Sequence, residues 1–160
     1  MKNLKSIVTS IVTLSVVTSG TATLVHAAPV EQELAIHVVR DAGCGCCEAW
    51  IEYLRKQGFE VTAEKRKWFE LAAYKTKMGI PQDATSCHTA TIDGYVVEGH
   101  VPAKDIKRLL SERPEAIGLS VPGMPYGSPG MGPESDREAY DVMLIGKDAD
   151  TKVFTRYPAK

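Results

Sequence analysis

The sequence predicts an α/β domain, and three observations carry that expectation. Short β-rich runs alternate with amphipathic helical stripes along most of the chain. Gly, Pro and Asp-Gly punctuation separates the runs. A cysteine motif, "CGCC" at positions 44–47, stands between the first strand-like run and the first helical stripe. With 160 residues, the chain has room for one ordinary domain.

The elements follow in order. "ELAIHVV", residues 33–39, is a β-rich run, and His37 within it reads as a packed strand histidine. "CEAWIEYLRKQG" carries Trp50, Ile51, Tyr53 and Leu54 at helical spacing, with Arg55 and Lys56 in the last turn and Gly58 as its stop. "FEVTAEKRK" alternates as a second strand. "WFELAAYKTKMG" reads as a second helix with Trp68, Leu71 and Ala72 on one side, closed at Gly79 with Pro81 beyond. Residues 89–92 and 95–98 form two β-runs around Asp93-Gly94, a strong hairpin turn. Pro102 opens a third helix with Ile106, Leu109 and Leu110 facing inward. Residues 118–133 hold five glycines and four prolines and read as a loop rich in Gly, Pro and Met. "YDVMLIG" and "TKVFTRYP" then form a C-terminal hairpin around "KDAD". The order is βαβαββα followed by that hairpin, and it resembles the thioredoxin-like fold.

The N-terminus reads as a separate segment. Lys2 and Lys5 precede an uncharged stretch that runs to Glu31, and its apolar part is too short and too rich in Ser and Thr to span a membrane. Val25-His26-Ala27 offers small residues at the positions signal peptidase prefers. Residues 1–27 are therefore expected to be a cleaved signal peptide, and residues 28–160 the functional domain. Removing the two lysines takes the formal net charge from −1 to −3, mild and without a basic stripe, so nucleic-acid binding has no electrostatic basis. Export, with a bacterial periplasm as the expected compartment, places the thiols where they persist as disulfides, on metal or in a redox cycle. No membrane association is expected after cleavage.

The cysteines carry the chemistry. Cys44 and Cys47 have the spacing of a redox dithiol, and a helix N-terminus lowers thiol pKa. Cys46, wedged between them, has no use in a plain dithiol. A structural framework is a poor reading, because clustered cysteines close only short loops. In a thioredoxin-like fold the residues entering the third strand lie against the cysteine loop, which here brings "SCHTATI", and so Cys87 and His88, beside the trio. Thioredoxins usually place a cis-proline there; this chain has no proline between Pro81 and Pro102, which admits metal. Four soft thiolates suit Cu(I) first and Zn(II) second, and bridging sulfurs let several Cu(I) ions share them. Adjacent Cys46 and Cys47 make a closed zinc tetrahedron awkward. Met124 and Met131 are candidate thioether ligands in the loop, while Met78 and Met143 read as packing and Trp50 and Tyr126 as structural. His88 and His100 are candidate imidazole ligands that would accommodate Cu(II). The competing reading is a thiol-disulfide oxidoreductase using Cys44 and Cys47.

"CGCCEAW", "SCHTA", "VVEGHVP" and "VPGMPYGSPGM", in that order, resemble the CopG-type copper-resistance proteins of bacteria, a family also catalogued as a domain of unknown function. The resemblance runs from about Leu34 to Pro158. It implies a periplasmic protein with a cysteine-held copper cluster, a role in copper tolerance and in interconverting Cu(I) and Cu(II), and copper ions and other periplasmic copper-handling proteins as partners. Its implied ligands are Cys44, Cys46, Cys47 and Cys87, with Met124, Met131, His88 and His100 around them.

Overall fold

The computed structural model describes residues 34–160, so the expected signal peptide lies outside the described residues. Among the described residues, seven strands and three α-helices form a mixed α/β fold. The strands are β1 (Ala35–Asp41), β2 (Glu60–Arg66), β3 (His88–Ile92), β4 (Tyr95–Glu98), β5 (Ala116–Ser120), β6 (Tyr140–Gly146) and β7 (Thr151–Tyr157). The helices are α1 (Gly45–Lys56), α2 (Trp68–Lys77) and α3 (Ala103–Glu112). One sheet holds all seven strands in the order β2-β1-β3-β4-β5-β6-β7. β1 pairs in parallel with β2 and antiparallel with β3, and β4 pairs in parallel with β5.

Strand alternation divides the interior. Ile36 and Val38 of β1, Ala90 and Ile92 of β3, Val97, Leu119, Val142 and Leu144 face α1 and α3, where Trp50, Ile51, Leu54, Ile106 and Leu109 complete the main core. Trp50 is fully buried and its indole N–H donates to the Val101 carbonyl at 3.0 Å. Val96, Ile117 and Ile145 face the other way and pack against Met78, Ile80 and Ala84, just past α2.

Local signals explain most boundaries. Gly58, at φ +88°, stops α1, as a glycine beyond a helix end does. Asp93 and Gly94 take φ values of 46° and 83°, the doubly left-handed turn that matches the twist of a hairpin. Pro102 caps α3.

Two expectations are corrected. Residues 118–133 are not loop throughout: Gly118–Ser120 finish β5, a strand whose partners β4 and β6 supply its order. Trp68, Leu71 and Ala72 do share one side of α2, where they line a groove with Lys75; Leu71 and Lys75 are buried there and Trp68 stands 74% exposed. His37, expected to be packed, instead lies at the surface against Thr62 and Glu64.

Gly118 sits where a Cβ would collide with the Val96 backbone of the neighbouring strand. Gly118→Ala is expected to cost on the order of 2 kcal/mol or more and to lower Tm by several degrees in thermal denaturation. An unchanged Tm would contradict the close approach of β4 and β5.

Candidate metal centre

The site forms where β1 ends. Cys44 is the N-cap of α1, extended at φ −79° and ψ 96°, and its sulfur accepts the Cys47 N–H at 3.2 Å. Cys46 and Cys47 belong to the first helical turn, so three sulfurs gather at the positive end of the helix dipole. Cys44 and Cys47 are joined by a disulfide, while Cys46 and Cys87 are free thiols, both partly buried.

Strand pairing supplies the fourth sulfur. Arg40 at the end of β1 faces His88 at the start of β3, which sets Cys87, one residue earlier, against the cysteine turn. The Cys87 Sγ lies 3.6 Å from that of Cys47 and 3.9 Å from that of Cys46, and Cys44 and Cys46 are 3.4 Å apart. All four sulfurs fall within 4.8 Å of one another.

Cys87 is also the hub of a second group with His88 and His100. Their nearest ring nitrogens, Nδ1 and Nε2, lie 3.3 Å and 3.1 Å from its sulfur. The Nδ1 of His100 lies 2.7 Å from the Pro129 carbonyl, which can only accept. That nitrogen therefore carries the proton and Nε2 turns its lone pair towards Cys87. His88 is fully buried beneath the Trp50 ring, with centroids 4.4 Å apart, and its Nε2 has no hydrogen-bond partner among the described residues.

The electrostatics favour neutral donors in the metal-free protein. Burial and the adjacent Cys46 push the Cys87 thiol up to about 12, so a bound metal would have to expel its proton. Burial, with His100 and Lys75 nearby, holds His88 well below its ordinary value. His100 is lowered as well by burial, against a smaller opposing effect of its bond to Pro129. Neutral imidazole is the form that ligates metal.

The loop expected to bring thioethers is laid over the site. A Cβ on Gly130, which has φ +83°, would lie 2.7 Å from the Trp50 backbone nitrogen and 3.0 Å from the Cys46 carbonyl, so the loop rests directly on the first turns of α1. Met131 follows Gly130 and is partly buried. Met124 is 55% exposed, next to Gly123, which bonds to Thr85 and Ser86 just before Cys87. The cysteines and the two histidines are thus brought together, and both methionines are on the segment that borders them.

Sequence reasoning missed the polar support beneath Cys87. On the α2 face of the sheet, Glu98 is fully buried and accepts from Lys75 Nζ, the Ser86 backbone N–H and Thr89 Oγ1, each at 2.6 Å. Burial raises the Glu98 carboxyl and the Lys75 ammonium opposes that rise. The signal was an acid in a strand, "YVVE", whose other residues are all apolar. Arg40, buried and paired with Glu48 of α1, likewise ties β1 to the motif helix.

Comparison with known proteins agrees with this architecture. Residues 84–131, which contain Cys87, both histidines and both methionines, match the family model described as "Protein of unknown function, DUF411". The fold is that of a class of solved copper resistance proteins. One, "Copper resistance protein copG- Form 1", is 45% identical with a TM-score of 0.75, covering 80% of this chain and 100% of that one. A second, "Copper resistance protein copG- Form 2", is 46% identical with a TM-score of 0.73, covering 79% of this chain and 100% of that one. The chain belongs to this CopG-type family. Comparison with curated protein sequences gave no match.

Two outcomes test the site's electrostatics. Lys75→Met leaves the Glu98 carboxylate buried without its cation and is expected to cost about 3–5 kcal/mol, partly recovered in Lys75→Met/Glu98→Gln; equal stability of all three proteins in denaturant titration would contradict the pairing. For the histidines, both folded values lie below the ordinary 6.5, so between those values the unfolded chain binds protons that the folded one refuses. Stability is complete above about pH 6.5 and falls on acidification, by up to about 1.4 kcal/mol per pH unit for each histidine. The Tm of metal-free protein should drop from pH 6.5 to 5.5, and His88→Asn should flatten the slope; a Tm rising over that range would contradict the assignment.

Proposed function

We propose that this protein is a periplasmic copper-binding protein that holds Cu(I) through Cys44, Cys46, Cys47 and Cys87 and so contributes to copper tolerance. The observation that carries the reading is the arrival of Cys87, across 41 positions of sequence, within bonding range of a common ion with the other three sulfurs. Four thiolates form a soft donor set that favours Cu(I), and sulfurs this close suit bridging between more than one ion. The relatives are named copper resistance proteins, which supports the same metal. In this reading residues 1–27 are a signal peptide, residues 28–160 form a thioredoxin-like metal-binding domain, and the partners are copper ions and other copper-handling proteins of the same compartment.

The surroundings fit the ion. The Nδ1 of His88 and the Nε2 lone pair of His100, 3.3 Å and 3.1 Å from the Cys87 sulfur, would add nitrogen donors beside the thiols, which would let the site accommodate Cu(II) as well and interconvert the two states. Met124 and Met131 are proposed as thioether ligands from the overlying loop. Full thiolate coordination requires the Cys44–Cys47 bond to be opened by a two-electron thiol reductant, after which Cys44 is favoured as thiolate by the Cys47 N–H.

A second reading, thiol-disulfide exchange through Cys44 and Cys47, is favoured by the disulfide itself at the helix N-terminus. One pair of measurements separates the two. Reduced protein titrated with Cu(I) against a competing chelator should bind more than one copper per chain, and Cys46→Ser should bind fewer. Binding below one copper per chain, or equal binding by the serine variant, would overturn the cluster. Insulin reduction that survives Cys46→Ser and Cys87→Ser but not Cys44→Ser would establish the exchange reading instead.

A further inference from the structure

The four sulfurs are not equivalent. Cys44 and Cys47 are bonded to each other, and their Cα atoms stand 5.3 Å apart, a separation at which a disulfide closes without moving the backbone. Cys46 and Cys87 remain thiols, with sulfurs 3.9 Å apart. Two thiolates about 2.3 Å from one ion, set at a tetrahedral angle, stand about 3.8 Å apart. The free pair is therefore spaced as two ligands of one ion, while the bonded pair is a two-electron couple.

The imidazoles belong with the free pair. His88 Nδ1 and His100 Nε2 lie 3.3 Å and 3.1 Å from the Cys87 sulfur, and the donor atoms of the three residues fall within 4.8 Å of one another. One thiolate with two imidazoles is a donor set of copper sites that pass electrons, because nitrogen suits Cu(II) and sulfur suits Cu(I). The bonded pair meets this set sulfur to sulfur: Cys44 lies 3.4 Å from Cys46, and Cys47 lies 3.6 Å from Cys87. The way in is a groove of about 770 Å³ that opens onto Cys44 and Cys87. Asp41 and Lys75 are the charged side chains along it, and Lys75 is held by Glu98. An ion arriving there meets one sulfur of each pair.

We infer that Cys44 and Cys47 are the electron store of the centre: they reduce Cu(II) bound by Cys87, His88 and His100, and Cys46 and Cys87 hold the Cu(I) formed. Two Cu(II) ions take one electron each, in turn. The Cys44 and Cys47 thiols together lose two electrons and two protons, their S–S bond forms, and the protons pass to solvent. Cys46 and Cys87 are not oxidised. A two-electron thiol reductant, the class already required to open that bond, restores the pair by exchange and leaves as its own disulfide. The inference deepens the copper-binding reading: it takes the metal from that reading and gives two of the four cysteines a second role.

The test adds Cu(II) sulfate, without air, to the fully reduced full chain. Cu(I) is read with a colorimetric chelator after the reaction, and disulfides are mapped by mass spectrometry after alkylation. About two Cu(I) should form per chain, the yield of one two-electron couple. Cys44 should be joined to Cys47, with Cys46 and Cys87 alkylated once the copper is stripped. Protein whose Cys44–Cys47 bond is already closed should form no Cu(I) and keep both thiols. His100→Asn, which removes a nitrogen donor, should slow reduction about tenfold or more. A disulfide that includes Cys46 or Cys87, a yield below one Cu(I) per chain, or Cu(I) formed by the closed-bond protein would overturn the inference. So would a rate unaltered in His100→Asn, which marks plain oxidation of accessible thiols. Titration of the reduced protein with Cu(I) checks the copper-binding reading separately. If less than one ion binds per chain, that reading fails by itself, and the mapped disulfide with its yield of Cu(I) still upholds or overturns the electron store.

Discussion

The antiparallel register of β1 against β3 is the constraint on which the site depends. Arg40 opposite His88 fixes where both strands end, and both ends lie at the same edge of the sheet. Because side chains alternate across a strand, one step of register would carry His88 away from Trp50. The apolar residues of β1 and β3 enforce the register, since any slip would place Ile36, Val38, Ala90 and Ile92 on the wrong face. A core-packing requirement thus places Cys87 against a cysteine turn far away in sequence.

The two faces of the sheet then divide the chemistry. Towards α1 lie the imidazoles, His88 tilted beneath the Trp50 ring and His100 edge to face with His88. Towards α2 lies the Lys75–Glu98–Thr89 network, which holds Ser86, the residue before Cys87, by its backbone. Cys87 sits between them, hard to ionise without a metal, whereas Cys44 meets a backbone donor at a helix end. A metal held by Cys87 would have to expel that thiol proton. Loop 121–133 covers the site, anchored by Gly130 on α1 and by the Pro129 carbonyl on His100.

Much of this was legible in the residues, and the exceptions share a cause. The cysteine turn between strand and helix, the Asp93-Gly94 hairpin and the Pro102 start of α3 depend on local stereochemistry, and all three stand where the pattern places them. β5 was hidden because Gly118 reads as a loop breaker, whereas the close pass of the β4 backbone requires it. The burial of Lys75 on α2 was hidden for a related reason. A Trp ordinarily outranks a Lys for burial, but Lys75 is drawn inside by Glu98, 23 residues away. Pairings made only in the folded chain leave no local trace.

X-ray absorption at the copper edge addresses the convergence of the four sulfurs most directly. Protein loaded with Cu(I) under reducing conditions should show a first shell dominated by sulfur, and Cys87→Ser should remove sulfur from it while the folded state persists. A shell of nitrogen and oxygen, or one unaltered by the loss of Cys87, would contradict a shared centre.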